Sequence, residues 1–72
     1  MTGHEFARAL ARHLGLPSLT EPESEQILEL ASVAAHSSER LAAPLCAFLA
    51  GRSGRSIGEV TAAARRVTGG ER

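Results

Sequence analysis

Ser32, His36 and Glu29 are residue types that take part in acid–base and nucleophilic chemistry, and their spacing places them together. Ser32 lies four residues before His36, and Glu29 lies seven residues before it, so all three fall on one face of an α-helix. A histidine titrates near neutral pH and can act as a general acid or base. A serine nucleophile would also need a carboxylate that orients the histidine. Because two helical turns separate Glu29 from His36, no catalytic triad is specified, and we favour a solvated outer face of a surface helix.

Arg40 follows His36 by four residues and can bind either the protein or a ligand. Its guanidinium can donate to the carbonyls that end the preceding helix and can hold Glu29 or Glu39. Alternatively, it anchors a small anionic ligand such as a phosphate beside the free amides that start the next helix. The glycine-rich loop of a phosphate cradle is missing. We therefore favour the structural role and keep the anion anchor as an alternative.

The single cysteine, Cys46, lies in an apolar segment and is predicted to be a small buried hydrophobe. One cysteine excludes an internal disulfide and suits a reducing cytoplasm. Cys46 and the histidines His4, His13 and His36 do not have metal-ligand spacing, so we expect neither a metal nor a cofactor. The first fifteen residues mix charged and apolar side chains, unlike a signal peptide or a membrane span. We expect a cytoplasmic protein that does not contact membranes.

The charged residues are eight arginines and eight glutamates, which makes the chain formally neutral. Phosphate contacts to nucleic acid need a net basic surface. A short turn followed by a helix of small residues near the carboxyl-terminal end is also found in helix-turn-helix modules. This end has a basic bias from Arg52, Arg55, Arg65 and Arg66. The last predicted helix has no Asn or Gln suited to reading bases. We expect no nucleic-acid partner, and weak DNA binding is the second alternative function.

Alanine is the commonest apolar residue, with thirteen copies against nine leucines. At about 25 cal/mol per Å² of buried apolar surface, a core built largely from alanine leaves little margin over conformational entropy. We therefore expect the chain to gain stability by associating with itself or with another protein.

Three helix starts are marked by capping boxes, in which a hydroxyl residue is followed three places later by Glu. They are Thr2 with Glu5, Thr20 with Glu23, and Ser56 with Glu59. Pro44 predicts a fourth start, because a proline inside a helix would clash with the carbonyl of residue 40. A break at residues 37–40 would leave Pro44 in the first turn of the next helix, which Gly51 is expected to end.

These signals predict an all-α fold, a compact bundle of four short helices in a single domain, residues 1–72. The predicted helices cover residues 3–13, 21–37, 41–50 and 57–68, and the last ends at Gly69 and Gly70. The first helix places Phe6, Leu10 and Leu14 on one face. Inward-facing rows are predicted for the other helices, with Ile27, Leu28, Leu30, Ala31, Ala34 and Ala35 on the second, Leu41, Leu45, Phe48 and Leu49 on the third, and Ile57, Val60, Ala64 and Val67 on the fourth.

The stretch LELASVAAHSSERLAAPLCAFLAG, residues 28–51, has a further pattern. A Leu-rich helix carries Ala35–His36, then Arg40, then Ala43–Leu45, and ends in Phe48–Gly51. In this pattern the sequence resembles an uncharacterised helical domain of high-GC bacteria that occurs alone or joined to a molybdenum-cofactor guanylyltransferase. The resemblance implies a helical fold and that metabolic setting. It implies no activity, because the transferase chemistry belongs to the neighbouring nucleotide-binding domain.

Two functions from different classes are consistent with these observations. We favour a non-catalytic accessory module that docks on, or dimerises beside, a metabolic enzyme of molybdenum-cofactor or specialised metabolism. Its contact surface would be the Ala- and Leu-rich faces of the third and fourth helices. The alternative is a miniature enzyme or small-molecule-binding protein in which His36 acts as acid or base and Arg40 holds an anion beside Ser32 and Glu29. Whether the chain is an enzyme stays open at this stage.

Overall fold

The computed structural model describes residues 1–69 and confirms the predicted all-α bundle of four helices. The helices are α1 (Gly3–Leu14), α2 (Glu21–Ser37), α3 (Ala42–Ser53) and α4 (Ile57–Thr68). No strand occurs within residues 1–69. Gly70, the second of the two predicted terminating glycines, lies outside the described residues.

All three predicted capping boxes are formed. The Thr2 hydroxyl accepts from the Glu5 amide at 3.0 Å, while the Glu5 carboxylate accepts from the Thr2 amide at 2.7 Å. The boxes that start α2 and α4 repeat this reciprocal arrangement, with distances between 2.8 and 3.2 Å. Each box satisfies amides that would otherwise lack a partner at the start of the helix.

The predicted corner before Pro44 is also confirmed. α2 ends at Ser37, and the backbone of the next residue, Ser38, leaves the helical region with φ −138° and ψ −102°. α3 starts at Ala42, so Pro44 is its third residue, where a missing amide proton removes no helical hydrogen bond. The amides of Ala42 and Ala43 donate to carbonyls three residues earlier, at 2.9 and 3.1 Å, which tightens the entry to α3.

The predicted end of α3 at Gly51 is wrong, because the helix continues to Ser53 and ends at Gly54. Gly54 has φ +71°, the left-handed conformation that favours glycine at a helix end. The Ser53 hydroxyl donates to the Ala50 carbonyl at 2.8 Å and accepts from the Arg55 amide at 3.1 Å. Gly51 can therefore remain helical, since the next glycine supplies the terminating conformation.

α2 is the central helix, since it packs against both α3 and α4. The buried residues are Leu30 and Ala34 of α2, Ala50 of α3 and Thr61 of α4. Leu30 is the largest of them and is 1% exposed. The Thr61 hydroxyl donates to the Ile57 carbonyl at 2.9 Å, so its burial leaves no polar atom without a partner.

The predicted inward row of α3 is wrong, and the opposite face of the helix is buried. Leu41, Leu45, Phe48 and Leu49 are all exposed, whereas Ala50 is buried and the small residues beside it on the helix are half-buried. Those small residues are Ala43, Cys46 and Ala47. Small side chains let two helix backbones approach closely, which favours an alanine face as the contact with α2.

The inward rows of α2 and α4 are confirmed in part. Ile27, Ala31 and Ala35 are half-buried beside Leu30 and Ala34, but Leu28 is 57% exposed. On α4 the three predicted residues other than Val67 are half-buried, whereas Val67 is 65% exposed. Both exceptions lie at the margin of the face that the sequence pattern defines.

α1 has no buried residue and no substantial interface with another helix. Its apolar face forms as predicted but lies in solvent, with Phe6 at 60%, Leu10 at 47% and Leu14 at 59% exposure. The radius of gyration is 12.9 Å, against about 11 Å for a compact domain of this length. The bundle is therefore a packed group of α2, α3 and α4 with α1 at its edge.

Candidate functional site

The predicted polar stripe on α2 is exposed, and two of its members contact each other. The Ser32 hydroxyl lies 3.1 Å from Nδ1 of His36, a hydrogen bond between exposed side chains one helical turn apart. This is the contact that the spacing of four residues predicts. A serine–histidine pair is present, but it lies on an open helix surface and not in a cleft.

Glu29 does not orient His36, because its carboxylate is paired with an arginine of α4. Its carboxylate accepts from the Arg65 guanidinium at 2.9 Å, and this is the one ion pair within residues 1–69. Both side chains are more than half exposed. On sequence grounds Arg40 can hold Glu29 or Glu39, but Glu29 pairs with Arg65 instead. Arg40 is exposed in the turn before α3.

Two open clefts lie on the described surface, and neither includes His36 or Arg40 in its lining. One, of about 400 Å³, separates α1 from the start of α2 and is lined in part by His4, Arg8 and Glu21. The other, of about 370 Å³, follows the groove between α2 and α4 beside Glu29 and Arg65. Of the residues predicted for acid–base chemistry and anion binding, Glu29 lines the second cleft, whereas Ser32, His36 and Arg40 line neither of the two.

No group of three His, Cys or Glu side chains in residues 1–69 is placed to hold a metal ion. Among the same residues, no helix has the length and apolar character needed to cross a membrane. Cys46 is a half-buried free thiol on the inner face of α3, close to its predicted role as a small hydrophobe.

The most unusual feature of the surface is its apolar content. The chain has seventeen Leu, Ile, Val, Phe and Met side chains, all within residues 1–69, and twelve of them are exposed. Scattered apolar side chains are normal on a protein surface, whereas contiguous apolar patches mark interaction sites. The exposed apolar surface is therefore the candidate functional site.

Seven of these twelve residues form two rows on helices. The α1 row consists of Phe6, Leu10 and Leu14, and the α3 row consists of Leu41, Leu45, Phe48 and Leu49. Positions four apart lie above one another on a helix, so each row is a continuous ridge. We use the names α1 row and α3 row for these two sets throughout.

The α3 row has almost no charged neighbours on its own helix. Arg52 is the single charged residue of α3, and its guanidinium lies 4.7 Å from the centre of the Phe48 ring. This stacking covers part of the ring and is worth about 0.5–1 kcal/mol at an exposed site. The rest of the row faces solvent without a polar side chain of α3 to shield it.

Sequence reasoning anticipated an apolar contact surface but assigned the α3 row to the core. The available signal was that α3 is apolar on every side, with alanines opposite the leucines. A helix that is apolar all round can be covered on two faces. In this fold α2 covers the alanine face of α3, and the large apolar residues on the opposite face are exposed to solvent.

A family model described as a domain of unknown function, DUF6457, matches residues 1–70. The chain matches no curated protein and no solved structure.

Proposed function

We propose that this chain, which belongs to the DUF6457 family, is a non-catalytic helical interaction module that docks on or dimerises beside a metabolic enzyme. One observation carries the proposal: twelve of the seventeen large apolar side chains are exposed, whereas the buried residues within 1–69 are Leu30, Ala34, Ala50 and Thr61. The chain thus presents outward the residues that usually form a core.

The energetic reason is the cost of leaving this surface in water. Full burial of one Leu or Phe side chain contributes about 1.5–3 kcal/mol, and seven such residues stand in the α1 row and the α3 row. Among residues 1–69, Leu30 is the only large side chain that is fully buried. A partner that covers the two rows therefore buries large apolar side chains that the single chain leaves exposed.

The resemblance to a domain joined to molybdenum-cofactor guanylyltransferases suggests the partner enzyme. We propose that the module acts in the cytoplasm, in molybdenum-cofactor or specialised metabolism, where it holds or positions an enzyme and leaves the chemistry to that enzyme. The Ser32–His36 pair lies on an open helix surface and lines neither of the two clefts, which is consistent with a module that has no active site of its own.

Titration of the purified chain with the molybdenum-cofactor guanylyltransferase of the same organism tests this function. We expect saturable binding that weakens at least tenfold in the Leu45→Gln variant, because the proposed docking depends on an intact α3 row. Leu28→Gln, an equally exposed leucine of α2 outside both rows, is the matched control. Absence of binding to that enzyme, or equal weakening by both variants, would contradict the proposed docking.

The Ser32–His36 hydrogen bond is the observation that favours a second candidate, the miniature enzyme or small-molecule-binding protein. In that case Ser32 is the nucleophile, His36 is the base, and Arg40 holds an anion. A fluorophosphonate probe distinguishes the two functions, since it labels activated serines. Labelling of the native chain that disappears in both the Ser32→Ala and the His36→Ala variant would support the enzyme.

A further inference from the structure

We infer that the partner on the exposed apolar surface is a second copy of this chain. Two copies pair about a two-fold axis, with the α1 row of each packed on the α3 row of the other. This inference rests on the proposed function and deepens it, because it names the occupant of the interaction surface.

The exposed area is the first reason. The chain exposes 5689 Å², whereas a compact folded protein of its mass exposes about 4,250 Å². The difference is about 1,440 Å² for each copy. A pair that buries this difference removes about 2,900 Å² in total, which lies within the range of about 2,000–5,000 Å² for obligate homodimers.

The spacing of the two rows is the second reason. Phe6, Leu10 and Leu14 on α1 repeat every four residues, and so do Leu41, Leu45 and Leu49 at the entry to α3 and along it. Ridges of this spacing on two helices interdigitate at a crossing angle of about −50°. The chain therefore contains both members of a matched helix pair, which a two-fold axis uses twice.

The position of α1 is the third reason. α1 has no buried residue, and a cleft of about 400 Å³ separates part of it from α2. A helix of twelve residues is marginally stable without tertiary contacts. The α3 row of a second copy supplies α1 with the apolar surface that its own chain does not.

Charge also permits the pairing. Neither row contains a charged residue, and Arg52, whose guanidinium stacks on Phe48, lies on the helical turn after the α3 row. The formal net charge of the chain is +0, so two copies do not repel each other at long range. The charged residues of α1, Glu5, Arg8 and Arg12, project from the side of the helix opposite to Leu10 and Leu14. They stay in solvent when the α1 row is covered.

Sedimentation equilibrium of the full chain at micromolar concentration tests the pairing. We expect a particle of twice the chain mass of 7.5 kDa. A monomer across this concentration range, or an assembly larger than two copies, would overturn the inference.

Three matched variants locate the interface. Leu10→Gln in the α1 row and Leu45→Gln in the α3 row each occur twice in a pair, so each should raise the dissociation constant of the pair by about tenfold or more. Leu28→Gln should leave it unchanged. All three side chains are exposed in the single chain, so helix content should persist. Circular dichroism checks this, and a variant that loses helical signal is replaced by Leu→Ala at the same position. Equal effects from all three variants would overturn the inference.

Two charged variants test whether α1 of one copy packs on α3 of the other. Leu10→Arg and Leu45→Glu should each be monomeric alone, because each places a charge in both contacts of the pair. Mixed together they should form a heterodimer, since arginine on α1 then faces glutamate on α3 and the second contact remains apolar. A mixture of folded monomers would overturn the arrangement of α1 on α3.

These results are separable from those on the proposed function. A monomeric chain that binds the guanylyltransferase through Leu45 would overturn the self-pairing and support the docking. A dimeric chain with the expected variant effects that does not bind this enzyme would support the self-pairing and contradict the docking.

Discussion

α1 and α4 have the same local signals and different surroundings. Each contains twelve residues, and each begins with a hydroxyl N-cap followed three residues later by Glu. α4 packs against α2, buries Thr61 and joins α2 through the Arg65–Glu29 pair. α1 buries no residue. The comparison teaches that a capping box specifies where a helix starts and leaves open whether that helix joins a core.

The largest effect on stability is expected from a substitution in the packed group of α2, α3 and α4. Leu30→Ala should lower the free energy of unfolding by about 2–5 kcal/mol, because it removes the one fully buried large side chain and leaves a cavity. Leu28→Ala in the same helix should change it by less than about 0.5 kcal/mol, as expected for an exposed site. Urea denaturation followed by circular dichroism measures both. Similar losses for the two variants would show that the core is not where we place it.

Removal of the cap hydroxyls compares α4 with α1 directly. Ser56→Ala should lower the free energy of unfolding by about 1 kcal/mol, because α4 is part of the packed group. Thr2→Ala should reduce the helical signal of α1 and leave the unfolding midpoint unchanged. Both are made in the Leu45→Gln background, so that pairing does not contribute. A matching midpoint shift for Thr2→Ala would mean that α1 is packed as firmly as α4.

A smaller effect is expected from the carboxylates of the same two boxes as pH is lowered. Hydrogen bonds from the Ser56 amide and hydroxyl hold the pKa of Glu59 below its ordinary value of 4.5, and those from Thr2 do the same for Glu5. A carboxylate with a lowered pKa contributes stability that is complete above pH 4.5 and is lost as pH falls through the lowered pKa.

The stability difference between the wild type and Glu59→Gln should therefore shrink as pH falls below 4.5. Glutamine keeps a hydrogen-bond acceptor, which is why the effect is smaller than that of removing the hydroxyl. In the Leu45→Gln background, which removes pairing, Glu5→Gln should show no such pH dependence of unfolding, since α1 is not packed within the single chain. Denaturant unfolding at a series of pH values measures both, and a constant difference for Glu59→Gln would refute the assignment.

The smallest effect is expected from the ion pair that only α4 possesses. Glu29 and Arg65 are each more than half exposed, and such pairs contribute about 0.2–1 kcal/mol. A double-mutant cycle with Glu29→Gln and Arg65→Gln should give a coupling energy in this range that decreases with added salt. A larger coupling that is insensitive to salt would indicate that α4 is held to α2 mainly by charge.

The features that the sequence predicts correctly are those set by near neighbours in the chain. The Thr20–Glu23 box and the corner before Pro44 depend on residues within a few positions of each other, and backbone geometry determines their outcome. The Ser32–His36 contact belongs to the same class, because one helical turn separates the two residues. The bounds of α1, α2 and α4 follow from such signals.

The features that the sequence does not predict depend on the choice among distant partners. α3 has an alanine face and a leucine face. An estimate from composition favours burial of the leucine face, because that face has the larger apolar area. Which face packs against α2 depends on how closely the two helix backbones approach, and small residues such as Ala50 allow a close approach. Glu29 likewise finds Arg65, which is 36 residues away, instead of the nearby Arg40. No local pattern distinguishes these partners.

The alanine face of α3 also determines which mutations this molecule can tolerate. Where Ala50 and its small neighbours meet α2, a bulkier side chain would wedge the two helices apart, and such overpacking costs about 1–3 kcal/mol. Inside this domain, a change from a small to a larger apolar residue should therefore lower stability, even though it conserves hydrophobicity. Evolution of its interior is restricted to residues no larger than those present, whereas the size of its outer residues can change together with the surface that covers them.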